Sequence, residues 1–196
     1  MNLNNLNIDY QSPAFIIGVV VLLVIAVIIA VIVDRRRKNT LKLRNRFGSE
    51  YDSCLREHKT REKAEADLEG RLNRVEQLKT RELTGPERAR FVAEWDAVQS
   101  RFIDHPRGAV TEADELVNAV LEARGFPASG FVQRAADISV HHAHLVDSYR
   151  GAHAITVSSA KNEATTEELR TAMIHYRALF DELLQIHAPM VQRQVA

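Results

Sequence analysis

The chain has little cysteine and lacks the common catalytic motifs. Cys54 is the one cysteine among 196 residues, which excludes an internal disulfide and suits a reducing cytoplasm. A P-loop, a dinucleotide-binding GxGxxG, a zinc-protease HExxH and a hydrolase GxSxG are all missing. The sequence therefore indicates no recognisable enzyme, although a fold can assemble an acid–base group from distant residues such as Asp114, Glu115 and His175.

Strand patterns are missing as well. No segment alternates apolar and polar residues between hairpin turns, as strands would. Thr84 and Thr165 each precede a glutamate by three residues, which is the pattern of a helix capping box. Apolar residues recur at the spacing of one helix face, for example at Phe91, Trp95, Val98 and Phe102. We therefore predict an all-α fold.

Positive charge is missing before the one long apolar run. Residues 14–33 comprise sixteen large apolar side chains, three alanines and one glycine. As a helix this run is about 30 Å long, enough to cross a bilayer. Residues 1–13 contain no Lys or Arg, whereas seven basic side chains lie within residues 34–48: Arg35, Arg36, Arg37, Lys38, Lys42, Arg44 and Arg46.

This charge distribution predicts the topology. Because positive charge stays on the cytoplasmic side, we expect a short external tail at 1–13, a transmembrane helix at 14–33 and a cytoplasmic remainder. A cleaved signal peptide would carry its charge before a shorter apolar run, so an uncleaved single-pass anchor fits better. The basic residues would also bind anionic lipid headgroups, with roughly 1 kcal/mol from each residue near the surface. We predict that all seven contact lipid.

The rest of the chain carries a mild negative charge. Residues 50–196 hold 19 basic and 24 acidic side chains, a net charge of −5. A nucleic-acid-binding domain would need a basic surface, so this composition argues against a nucleic-acid partner. No cofactor motif is present. The partners that the sequence favours are membrane lipid and a cytoplasmic protein.

Two helical parts follow the basic segment. Residues 49–83 are rich in Glu, Lys, Arg, Ala and Leu, and their heptad positions are polar in the middle. We therefore predict one long charged juxtamembrane helix rather than a coiled coil, with an apolar stripe that packs on the same chain: Leu68, Leu72, Val75 and Leu78. Caps, stops and apolar faces then predict an antiparallel helical bundle at 84–188 and a C-terminal tail at 189–196.

Small residues in the apolar run leave self-association open. Ala14, Gly18, Ala26 and Ala30 share one i, i+4 ridge, and small residues at this spacing let two helix backbones approach closely. Alanine and glycine are also ordinary constituents of transmembrane helices. A homodimer through this ridge is one alternative, and a single helix without a partner is the other.

Several strings along the chain resemble a family of uncharacterised bacterial membrane-anchored proteins. They keep the same order and spacing over roughly residues 45–186: RFGSEYDSCL, WDAVQSRFIDHPRGAVTEADELV, RGFP, RAADIS, YRGAH and LRTAMIHYRALFDELL. The resemblance implies a bacterial source, a single N-terminal span and a helical domain. It implies no activity for any residue. The histidine-rich HHAH at 141–144 departs from the family's pattern.

That histidine cluster is the candidate chemical site of the sequence. On a helix His141 and His144 are neighbours, and Asp137 lies one turn earlier, so the three could offer nitrogen and oxygen ligands to zinc. A polar helix boundary explains the same residues without metal. Three functions remain: a membrane-tethered helical module for protein interaction or scaffolding, which we favour; a membrane-anchored ligand or metal sensor using His141 and His144; and an enzyme with no recognisable motif.

Overall fold

The computed structural model describes residues 13–184, with side chains from Ile17 onward. Within this range the chain forms seven α-helices and no strand, which confirms the all-α prediction. The chain divides into two units between Asn45 and Arg46. The predicted external tail, apart from Pro13, and the predicted tail at 189–196 lie outside the described residues, as do the last residues of the predicted bundle.

Helix α1 runs over Pro13–Phe47, and its residues 13–45 are the described part of the first unit. Its segment Ile17–Phe47 is long and apolar enough to cross a membrane. Every Ile, Val and Leu side chain between Ile17 and Val33 is exposed, from 42% at Val33 to 67% at Leu22. A helix that is apolar on all sides needs an apolar environment, and the described residues provide none for this segment.

The charged segment forms two helices, α2 (Ser49–Glu57) and α3 (Arg61–Gln77), so the prediction of one continuous helix over 49–83 is wrong. His58 ends α2 with an extended backbone, and Thr60 begins α3 because its hydroxyl accepts a hydrogen bond from the Lys63 amide. This N-cap satisfies an amide that a helix start would otherwise leave unpaired. Residues 78–84 are not helical.

The next two helices are α4 (Gly85–Arg101) and α5 (Pro106–Ala123). Thr84 and Glu87 form the predicted capping box, with both reciprocal hydrogen bonds present. After α5, Gly125 has a φ of +92°, a left-handed conformation that favours glycine. The Arg81 amide donates to the Arg124 carbonyl at 2.9 Å, which holds residues 78–83 against the end of α5.

The last two described helices are α6 (Phe131–Ala160) and α7 (Thr166–Leu183). Helix α6 is kinked at His142, whose φ of −127° and ψ of 45° are not helical. Thr165 and Glu168 form the second predicted capping box. Helix α7 packs on α5 and α6, while α2 and α3 pack on each other and on α6.

One hydrophobic core unites α4 to α7. Its largest buried side chains are aromatic: Phe91, Trp95, Tyr149, Tyr176 and Phe180. Trp95 stacks on Phe180 with ring centroids 4.8 Å apart. Three residues of the predicted apolar stripe, Leu68, Leu72 and Val75, are buried on α3, which packs on α6. The fourth, Leu78, follows the end of α3 and is half-buried.

Candidate functional site

The predicted lipid-binding residues all lie in exposed positions. Arg35, Arg36, Arg37 and Lys38 are consecutive on α1, and at about 100° per residue they surround the helix. Lys38 pairs with Asp34 at 2.8 Å, with both side chains more than half exposed. Lys42 and Arg44 are exposed further along the helix. The first unit thus places a collar of positive charge directly after its exposed apolar segment.

The last basic residue, Arg46, belongs to the second unit. It is exposed overall, and its Nε donates to the Val140 carbonyl on α6 at 3.3 Å. The next residue, Phe47, is fully buried. Gly48 then separates α1 from α2 with a φ of +50° and a ψ of −124°. Arg46 and Phe47 therefore take part in the packing of the second unit.

The small-residue ridge of α1 is partly described. Gly18, Ala26 and Ala30 are exposed, and a Cβ placed on Gly18 would meet no atom within 4 Å. The side chain of Ala14 lies outside the described residues. The ridge is thus accessible over at least three of its four positions, and the homodimer stays a prediction.

The histidine cluster does not come together as the sequence suggested. His141 and His144 are exposed on α6, on either side of half-buried His142, whose Nδ1 lies 3.1 Å from Glu182 Oε1 on α7. Asp137 is buried and accepts a hydrogen bond from Gln133 at 2.7 Å. Asp137, His141 and His144 therefore do not form a ligand group in the described part of the chain.

An interior polar group surrounds Asp114, one of the residues considered for acid–base chemistry. Its partner is His153 rather than His175: His153 Nδ1 lies 3.7 Å from Asp114 Oδ1, and its ring stacks on Phe131 at 3.7 Å. Tyr176 donates to Asp114 at 3.1 Å and lies 2.8 Å from the Thr156 hydroxyl. Tyr176 is completely buried. These contacts join α5, α6 and α7, so the packing of the three helices accounts for this polar group.

A buried ion cluster lies between α2, α3 and α6, and sequence reasoning missed it. Glu50 is 1% exposed and accepts two hydrogen bonds from Arg150, at 2.6 and 2.8 Å, and one from Arg71 at 2.7 Å. Burial alone would raise the pKa of Glu50, but the hydrogen bonds from Arg150 and Arg71 outweigh it, so the pKa lies below its usual value. The carboxylate is therefore charged at neutral pH.

Cys54, His58 and Asp67 lie beside this cluster, at the turn between α2 and α3. The Cys54 thiol is buried and lies 3.5 Å from the Ala64 carbonyl and 3.6 Å from Asp67 Oδ2. His58 Nε2 lies 3.9 Å from the same carboxylate oxygen. Burial raises the pKa of the Cys54 thiol to about 11, so the free thiol is protonated at neutral pH. The sequence signal was the Cys-x₃-His spacing, which places both residues on one helix face.

An exposed apolar groove runs between α4 and α7. Both helices pack on α5, and Trp95 lies at the groove's floor. The groove has a volume of about 310 Å³ and includes Ile174, which is 62% exposed. Its lining repeats with helical spacing on both sides: Trp95, Gln99 and Phe102 on α4, and Arg170, Met173, Ile174 and Arg177 on α7.

Comparison of this chain with protein-family models, curated proteins and solved structures gave no match. The resemblance to membrane-anchored bacterial proteins therefore stays a prediction.

Proposed function

We propose that this chain is a single-pass membrane protein that holds a helical interaction domain at the cytoplasmic face of the membrane. The observation that carries the proposal is the sequence of features along α1. Exposed apolar side chains from Ile17 to Val33 precede the basic collar at Arg35, Arg36, Arg37 and Lys38. Insertion of this whole apolar segment into the membrane interior would be favourable by on the order of 5 to 10 kcal/mol.

The basic collar supports both orientation and lipid contact. Four consecutive basic residues surround the helix, so every side of α1 would present a positive charge at headgroup level. The ion pair between Lys38 and Asp34 is exposed and contributes little, so Lys38 remains able to exchange Asp34 for a lipid phosphate.

The groove between α4 and α7 is the surface we propose for a protein partner, and the occupant we propose is an amphipathic helix with acidic flanks. Lining residues at i, i+3, i+4 and i+7 on α7 extend over two helical turns, which matches one face of a short helix. The floor at Trp95 and Met173 would take its apolar residues. Arg170 and Arg177 at the rim are about half exposed and form exposed ion pairs on α7, with Glu167 at 2.7 Å and Asp181 at 2.8 Å. Because such pairs are weak, the two arginines would exchange these carboxylates for those of the partner helix.

Anchoring is tested by membrane fractionation of the full chain. Changing Leu22 and Ile25 to Arg costs roughly 2.5 to 3.5 kcal/mol for each residue at the helix centre, which removes most of the gain on insertion. We expect this variant to leave the membrane fraction in alkaline carbonate. Leu41→Arg is the matched control, because Leu41 is also exposed on α1 but lies outside the apolar run. Extraction of the unaltered chain by carbonate would contradict the anchor.

The groove is tested by comparing proteins that copurify with the full chain and with Ile174→Asp. We expect a specific partner to be lost from this variant and to be displaced by a synthetic acidic amphipathic helix. Val132→Asp is the matched control, because Val132 is 81% exposed on α6 and does not line the groove. Partners retained by Ile174→Asp, or lost equally from both variants, would overturn this choice of surface.

A further inference from the structure

We propose that Cys54, His58 and Asp67 form a zinc site at the turn between α2 and α3. This is a different place from the histidine cluster at 141–144. Among the described residues, these three are the ones whose sulfur, nitrogen and carboxylate ligand atoms lie within 4.8 Å of one another. Thiolate, imidazole and carboxylate are the ligands that zinc takes in proteins.

Two of the distances between ligand atoms are close to those around a tetrahedral ion. Zinc lies about 2.3 Å from sulfur and about 2.0 to 2.2 Å from nitrogen or oxygen, so its ligand atoms are roughly 3.3 to 3.7 Å apart. In this structure Asp67 Oδ2 lies 3.6 Å from Cys54 Sγ and 3.9 Å from His58 Nε2. Small rotations of the half-exposed Asp67 and His58 side chains would bring the ligands to zinc-binding distances.

The backbone explains why the three ligands meet. Cys54 and His58 are one turn apart at the end of α2, where the His58 amide donates to the Cys54 carbonyl at 3.1 Å. The chain then turns at Thr60, and the first turns of α3 bring Ala64 and Asp67 back against Cys54. On one continuous helix Cys54 and Asp67 would be about 20 Å apart. The break in the helix is thus what creates the site.

The ligands themselves would supply the negative charge that a divalent cation needs. Zinc binding would release the thiol proton of Cys54 to solvent, so the ligands would contribute two negative charges, from Cys54 and Asp67. Arg71 bonds Asp67 Oδ2 at 2.7 Å and also bonds Glu50 at 2.7 Å. Glu50, which also pairs with Arg150, offsets part of the charge of Arg71, and Arg71 would orient the Asp67 carboxylate as a hydrogen-bonding neighbour of the ligand.

Access and coordination number also suit an ion from solution. The side chains of His58 and Asp67 are 33% and 38% exposed, whereas Cys54 is buried behind them. The ion would enter from solvent and meet the thiol last. Three protein ligands leave a fourth position for water, as in open zinc sites. A bound ion would join α2 to α3 directly beside the Glu50 cluster.

The test uses the purified full chain, treated with a chelator and then titrated with Co²⁺ and, in competition, with Zn²⁺. Because Cys54 is the one cysteine of the chain, a thiolate-to-cobalt charge-transfer absorption would report on this site alone. We expect the absorption to saturate at one ion per chain and to disappear on addition of Zn²⁺. Zn²⁺ should also raise the melting temperature of the chain.

Matched variants separate this site from other histidines. We expect Cys54→Ser to abolish the absorption and His58→Gln to weaken Co²⁺ binding at least tenfold. His58 is partly exposed, so His58→Gln should fold even if Cys54→Ser does not. His141→Ala with His144→Ala should leave the absorption unchanged. The proposal would be overturned if no cobalt–thiolate absorption appeared. It would also be overturned if His58→Gln left the absorption intact and His141→Ala with His144→Ala removed it.

Discussion

Glu50 and Arg150, which lie 100 positions apart in the sequence, form a bidentate ion pair. Arg150 Nη1 donates to Glu50 Oε2 at 2.6 Å and Nη2 donates to Oε1 at 2.8 Å. Arg71 completes the arrangement from α3. The pair joins the first helix after the basic segment to the middle of the core helix α6. It therefore ties the part of the domain next to the anchor to the part that carries the core.

Glu50→Gln should destabilise the domain, because it removes the buried carboxylate that Arg71 and Arg150 share. We expect the free energy of unfolding to fall by roughly 2 to 4 kcal/mol, below the upper limit for a buried pair since Arg150 is 32% exposed. Glu94→Gln is the control, because the Arg90–Glu94 pair is exposed on both sides and should be worth under about 1 kcal/mol. Equal losses in chemical denaturation would contradict the role of the cluster.

The stability that Glu50 contributes should depend on pH. The pKa of Glu50 in the folded chain lies below its ordinary value of 4.5, so the ionised pair stabilises the domain above pH 4.5. That stabilisation is lost as pH falls through the lower, folded-state pKa. The difference between the unaltered chain and Glu50→Gln should be largest at neutral pH and should shrink at acidic pH. A difference in the free energy of unfolding that stays constant down to the pH at which Glu50 is fully protonated would refute this prediction.

Two glycine-to-alanine changes should have opposite signs. At Gly125 the φ is +92°, and a Cβ would lie 2.6 Å from the Lys79 carbonyl oxygen, so alanine would be strained and would push residues 78–83 away. We expect a loss of about 1 to 3 kcal/mol. At Gly151, inside α6, a Cβ meets nothing within 4 Å, so alanine should stabilise by about 0.5 to 1 kcal/mol. Thermal melting of both variants measures the contrast.

The charged segment should be needed for full stability. A fragment that begins at Ser49 keeps α2 and α3 on α6, whereas one that begins at Thr84 exposes the α6 surface that they cover and leaves Arg150 without Glu50. We expect the shorter fragment to melt lower, by several degrees for each kcal/mol lost. Equal melting temperatures would mean that α2 and α3 are a spacer and not part of the domain.

The features that depend on a few neighbouring residues could be predicted from the sequence. Both capping boxes, at Thr84 and Thr165, and the stop at Gly125 are present in the structure because local backbone chemistry decides them. The turn at residues 58–60 could not be predicted from the sequence, since it contains no Pro or Gly and its residues also occur within helices. Tertiary packing of Cys54 on Ala64 favours the break there.

The candidate sites were harder to predict for the same reason. His141 and His144 are close in sequence, but His142 kinks the helix between them, and buried Asp137 is bonded to Gln133 instead. The Glu50 cluster joins residues that are 21 and 100 positions apart. Such contacts depend on how helices pack, and one sequence carries no local signal for them. The apolar run and its basic flank were visible because bilayer thickness acts on consecutive residues.

The most direct test of the central claim is the location of the helical domain relative to the membrane. Two reporters are fused in turn after Ala196, one active only in the cytoplasm and one active only outside it. Because the positive charges follow the apolar run, we predict activity of the cytoplasmic reporter and silence of the external one. Moving the charges of Arg35, Arg36, Arg37 and Lys38 to residues 2–5 should reverse this result. External activity in the unaltered chain would contradict the account.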